Sequence, residues 1–132
     1  MNQDKPQQVQ ALEVGTPDEQ FEQLRERFHE RLRKEQRHLA NLAESLGCAD
    51  VVWASVISDI QLFAHRLRGA ALVFGYQGLG DSAKAVELAA IGAALTATGR
   101  RGTTTVATTM QALAVDLADE LGAGAPRRAL PQ

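Results

Sequence analysis

The sequence predicts an all-α fold, an antiparallel four-helix bundle. Three observations predict it. Apolar residues recur at steps of three and four through four successive segments, the spacing of one helical face. No strand-like alternation of useful length interrupts them. The segments are joined by short breaks at Gly47, Gly75 and Gly99 to Gly102, which leave room for little more than a reversal of the chain.

The first helix opens at Thr16-Pro17-Asp18-Glu19. Thr16 is an N-cap by type, Pro17 suits the first helical position, and Glu19 completes a capping box. The apolar stripe is Phe21, Leu24, Phe28, Leu32, Leu39, Leu42 and Leu46; Glu35 interrupts it and Gly47 stops it. The opposite face mixes Arg, Glu, Gln and Lys, a solvated surface laced with i,i+4 pairs. His29 and His38 lie in this charged helix with no constellation around them, and read as surface residues. The charges from Arg25 to Arg37 would also suit a coiled coil, but the leucine stripe has the length a bundle needs, so a monomer is expected.

The second segment runs from about Ala49 to Phe74, with Val56, Ile60, Phe63, Leu67, Ala70 or Ala71, and Phe74 on one face. The third runs from Tyr76 or Leu79 to Thr98. It is rich in alanine, with Leu79, Ala83, Val86, Ala90 and Ala93 on one side and Leu88, Ile91 and Leu95 nearby. Gly99-Arg100-Arg101-Gly102 breaks it. The fourth runs from about Thr103 to Leu121 with Val106, Met110, Leu113, Leu117 and Leu121 as its stripe; the threonine run at its start is poor helix material. Residues 17–121 thus form the bundle. Residues 1–16 read as a flexible or weakly helical arm and 122–132 as a disordered tail, because both carry few large apolar groups.

A chain of 132 residues has room for one domain and a modest core. Its net charge of -2 gives no footprint for nucleic acid and no polybasic signal for anionic lipid. No run of eighteen apolar residues exists to span a membrane, and the polar start Met1-Asn2-Gln3-Asp4-Lys5-Pro6 lacks the apolar core of a secretory signal. The lone Cys48 excludes an internal disulfide and a multi-cysteine zinc site, and reads as a small residue at a helix end. A reduced, cytoplasmic setting is the expectation.

One histidine stands apart. A helix advances about 100° per residue, so Phe63 and Leu67 fall about 160° from His65, and Val56 and Phe74 about 180° from it. The core stripe is therefore opposite His65, whose own face carries Ser58, Gln61, Leu62, Arg68, Gly69 and Leu72. Arg68, three residues on, reaches the same surface and can donate to anionic oxygens. Gly69 costs a helix interior about 1 kcal/mol against alanine. It lies on the wrong side to serve core packing, but leaves bare backbone beside the imidazole. Leu62, Leu72 and Val73 give this wet face an apolar component, which suits a docking surface. An unperturbed histidine titrates near 6.5, so at neutral pH most of such a ring holds a lone pair able to attack phosphorus. The chain lacks a P-loop, a glycine-rich nucleotide loop and an acidic cluster for magnesium, so any phosphoryl donor must come from a partner.

The run His65-Arg66-Leu67-Arg68-Gly69-Ala70-Ala71-Leu72-Val73-Phe74-Gly75 resembles the signature of the histidine phosphotransfer (HPt) family of phosphorelays, a His-x-Leu-Lys-Gly core followed by small residues and a glycine. The similarity continues into the next helix at Leu79, Ala83, Val86 and Glu87. The resemblance implies a four-helix bundle in a two-component phosphorelay. Its exposed histidine, here His65, accepts a phosphoryl group from a receiver-domain aspartate and passes it to another receiver. Arg68 stands where the family has lysine and would balance the phosphoryl charge; Gly69 is the spacer; Gln61, Leu62, Leu72 and Val73 would meet the partner. Such a protein is a phosphocarrier rather than an autonomous kinase. It has no cofactor of its own, Mg²⁺ belongs to the receiver, and the partners the resemblance implies are response-regulator receiver domains, with a hybrid histidine kinase as a further candidate. Two departures stand out: a planar guanidinium replaces the compact ammonium, and Leu72 is bulkier than the residue often found there, which bears on partner choice or access.

Two other readings compete. An HPt-like bundle without phosphate would bind and regulate a receiver or kinase, but a pure binder has no need of His65, Arg68 and Gly69 together. A histidine kinase dimerisation segment usually has an acidic residue after its histidine and a proline nearby; here Arg66 follows, and no proline comes after His65 before Pro126.

Overall fold

The computed structural model describes residues 15–48, 52–96 and 100–123. They form four helices, α1 (Pro17–Leu46), α2 (Trp53–Val73), α3 (Gln77–Thr96) and α4 (Arg100–Ala123), with no strand among the described residues. Each helix packs on its two neighbours in a closed ring, α1 on α2 and α4, α3 on α2 and α4. This is the expected four-helix bundle. No helix of the described residues is long and apolar enough to cross a membrane.

α1 begins as its first residues dictate. The Thr16 hydroxyl accepts from the Glu19 backbone N–H at 3.1 Å, and the Glu19 carboxylate accepts from the Thr16 N–H at 3.1 Å, so two orphan donors are satisfied reciprocally. The stripe then buries Phe28, Leu32, Leu39, Leu42 and Leu46. Phe21 and Leu24, expected in the same stripe, are not core: Leu24 is 49% exposed and Phe21 lies near the surface against Phe74. Phe21 meets the α2–α3 corner at its edge, its ring 5.4 Å from that of Phe74.

α2 buries Val56, Ile60, Phe63, Leu67 and Ala71 as expected, together with Ile57 and Ala64. Its end is shaped by Gly75, whose φ of +85° only glycine adopts without strain. There Tyr76 N–H donates to Ala71 O at 2.8 Å and Gly75 N–H to Leu72 O at 3.3 Å, the pair of bonds of a Schellman motif. α1 secures this corner from outside. Arg25 Nε donates to Phe74 O at 2.7 Å, and Phe28 packs against Phe74 and Tyr76 at ring distances of 5.3 and 5.2 Å. The buried Tyr76 hydroxyl meets His29 Nδ1 at 3.1 Å, and desolvation pushes the phenol up to about 12, so it stays protonated. His29 is therefore a partner of the corner rather than a free surface residue. His38 sets its ring edge against Phe63, centroids 4.8 Å apart.

α3 buries Leu79, Ala83, Val86, Ala90 and Ala93, and leaves Leu88 and Leu95 exposed. α4 departs from expectation at both ends. It starts at Arg100, so Arg100, Arg101 and Gly102 belong to the helix instead of breaking α3 from it, and Gly122 and Ala123 extend it past Leu121. The threonine run is accommodated because Thr108 and Thr109 hydroxyls donate back to carbonyls of their own helix, at 2.9 Å to Thr104 O and 3.3 Å to Thr105 O. Trp53 Nε1 donates to Thr103 Oγ1 at 2.8 Å, joining the starts of α2 and α4, and Ser82 donates to Asp116 between α3 and α4. The expected start of α2 at Ala49, the end of α3 at Thr98, and most of the arm and tail lie outside the described residues.

The division of α1 is testable by stability. Leu32→Ala, which empties a fully buried site, is expected to cost about 2–5 kcal/mol, and Leu24→Ala only about 0.5 kcal/mol. Equal shifts in urea unfolding would contradict the burial seen here.

Candidate functional site

His65 lies on the outward face of α2, between the lines where α1 and α3 pack. Its side chain is 65% exposed. Of the residues expected on its face, Ser58, Leu62, Gly69 and Leu72 are exposed with it, while Gln61 and Arg68 are half-buried at the edge toward α3; Val73 is exposed as well. An open hollow beside the ring is lined by Ser58, Gln61, Leu62, His65 and Glu87.

Glu87 is the residue that organises the site, and the sequence reading had assigned it no role. It projects from α3 into the seam with α2. Its Oε2 is 2.8 Å from His65 Nδ1, and its Oε1 accepts from Arg68 at 2.8 Å. The carboxylate is 10% exposed, the one charged residue of the core among the described residues. Burial works to raise its pKa. The hydrogen bonds from Arg68 and His65, with their charges, outweigh that effect and hold the carboxyl below its ordinary value. Glu87 is accordingly ionised at neutral pH.

An ionised carboxylate only accepts hydrogen bonds. The proton between Glu87 and His65 therefore sits on Nδ1, and the neutral ring carries its lone pair on Nε2. Nε2 has no hydrogen-bond partner among the described residues, and the ring reaches solvent. The arrangement thus makes a nucleophile of defined tautomer, with a counter-charge ready behind it if the ring becomes cationic. Arg68 reaches the same surface and donates there to Glu87. One of its nitrogens is committed; the guanidinium has other donors.

Gly69 stands one turn from His65. A Cβ built on it meets nothing within 4 Å, so no contact inside the bundle calls for glycine at a position where alanine is the better helix former. Leu72 lies two turns from His65 on the same line.

The signal for Glu87 was present in the sequence. It is a carboxylate on the stripe of an alanine-rich helix, four residues after Ala83 and three before Ala90. A charge there needs buried partners; which residues supply them depends on how α3 registers against α2.

Compared with known proteins, the chain matches no family model, no curated protein and no solved structure.

Two measurements test this geometry. Because folding lowers the Glu87 pKa, its contribution to stability is complete above the unfolded value of about 4.5 and is lost as pH falls through the depressed folded value. As the pH is lowered below about 4.5, the urea midpoint should therefore drop more steeply in the wild type than in Glu87→Gln; identical slopes would mean the carboxylate is not held in this way. Nitrogen-15 shifts of the His65 ring should report a protonated Nδ1 and a bare Nε2, with that preference relaxed in Glu87→Gln.

Proposed function

We propose that the chain is a histidine phosphotransfer protein, a phosphocarrier that takes a phosphoryl group on His65 from a receiver-domain aspartate and hands it to another receiver. The observation that carries this reading is the exposed imidazole whose Nδ1 proton is held by Glu87, leaving Nε2 as the nucleophile. The resemblance of the segment from His65 to Gly75 supports it independently.

In the forward step the Nε2 lone pair attacks phosphorus. The N–P bond forms as the P–O bond to the aspartate breaks, and the electron pair leaves with the carboxylate. The Nδ1 proton stays in place, so the ring becomes cationic, and Glu87 balances that charge. Arg68 stands close enough to share its remaining donors with the phosphoryl oxygens. The second receiver reverses the step. Magnesium, where it is needed, is the receiver's. Gly69 gives the partner's backbone clearance, and Gln61, Leu62, Leu72 and Val73 form the surface it meets. The setting of such an exchange is the cytoplasm, and a single copy of the chain suffices.

Incubation with phosphorylated receiver domains tests the reading. The wild type should acquire an acid-labile label, and His65→Gln none; a label of the same size on His65→Gln would overturn it. Gly69→Ala should raise stability by about 0.5–1 kcal/mol yet slow transfer about ten- to a hundredfold, because a methyl group displaces the partner by about 1 Å. Transfer at the wild-type rate by Gly69→Ala would remove its assigned role.

A further inference from the structure

The antiparallel register that brings His65 opposite Glu87 brings Leu72 opposite Gly80, two turns further along the same seam. Gly80 is buried in the first turns of α3, where glycine costs about 1 kcal/mol relative to alanine. Here, unlike at Gly69, the reason is visible inside the chain. A Cβ on Gly80 would sit 2.8 Å from Leu72 Cδ2 and 3.1 Å from its Cγ. The leucine lies in the notch that the missing side chain leaves, while 44% of it remains exposed.

We propose that Gly80 is a positioning residue for partner selection: by seating Leu72 low across the α2–α3 seam it sets the height of the apolar wall beside His65, and so decides which phosphoryl-bearing domains can close on the histidine. This rests on the phosphocarrier reading and names a determinant of its selectivity. Seven residues along a helix is about 10 Å. A patch of about 800 Å² per partner, usual for specific protein pairs, extends about 16 Å from its centre. Any protein that centres its reacting group on Nε2 therefore covers Leu72. A small phosphoryl donor does not reach it. The atoms that an added methyl would strike, Cδ2 first and then Cγ, belong to one half-exposed side chain with solvent on its free side. Leu72 then gives way outward and the two helices keep their spacing, so the change falls on the wall and leaves the His65–Glu87–Arg68 cluster, two turns away, as it was.

The test uses the full chain as wild type, Gly80→Ala, Leu72→Ala and the double variant. Each is labelled with phosphoramidate, a small donor, and with a panel of phosphorylated receiver domains. Wild type and Gly80→Ala should take phosphate from phosphoramidate on His65 at rates within about twofold of each other. With receivers, Gly80→Ala should change the ratio of kcat/KM between the best and poorest members of the panel by about tenfold or more, a methylene-scale change in an apolar contact. In the Leu72→Ala background the same substitution should have no further effect, since it acts through that side chain. An unchanged ratio, an equal loss with phosphoramidate, or an undiminished effect without Leu72 would each overturn the assignment. If Gly80→Ala fails to fold by circular dichroism, Leu72→Ala decides alone: a shifted receiver ratio supports the assignment and an unchanged one overturns it. Absence of any label on wild-type His65 from either donor would instead remove the phosphocarrier reading beneath it.

Discussion

The Glu87 carboxylate, accepting from His65 with one oxygen and from Arg68 with the other, is the interaction on which the site depends. A carboxylate taken out of water is costly unless paired and fully hydrogen-bonded. Both α2 donors help to hold it ionised, and both are thereby oriented. The histidine gains a fixed tautomer and the arginine a fixed place. The charge that costs most to bury is also the one that balances an imidazolium if the ring becomes a leaving group or a phosphoryl carrier. Structure and proposed chemistry draw on the same three side chains, so neither can be altered alone.

That cluster forms because α2 and α3 are held in one register. The corner between them is secured from several sides. Gly75 supplies the left-handed turn, the Schellman bonds close the helix end, and Arg25 reaches across from α1 to the Phe74 carbonyl. Phe28 and Tyr76 fill the space beneath. A slip of one residue at this corner would rotate Glu87 out of the seam and remove Gly80 from beneath Leu72. The aromatic packing on α1 is thus remote from His65 in sequence and position, yet it determines what lies opposite it.

Glycine carries two different meanings on this surface. At Gly80 the absent side chain is occupied by a neighbour from the same chain; at Gly69 the space is empty. The first is a packing requirement of the folded bundle. The second has no cause within the bundle, and the proposed function gives it one in the approach of a partner. The apolar surface of Leu62, Leu72 and Val73 around it fits that assignment, since exposed apolar side chains gathered beside a reactive group suit a surface that is covered during the reaction.

Much of this was legible beforehand. The stripes from Val56 to Phe74 and from Val106 to Leu117, the capping box at Thr16, and the outward direction of His65 follow from helical periodicity, which is local and needs no knowledge of neighbours. The ends of α4 and the exposure of Phe21 and Leu24 were not, because they depend on how far neighbouring helices extend alongside. Glu87 was visible as an anomaly but not as a partner. His29 gave no sign of Tyr76, which lies 47 residues away. The amino-acid order by itself determined the four helices of the described residues, where their apolar faces lie, and that His65 faces water. Only the tertiary structure decided what that histidine is bonded to and what flanks it. The reason is physical: a periodic pattern sets the direction of each side chain about its own axis, whereas the register between two helices is set by packing at their common corner.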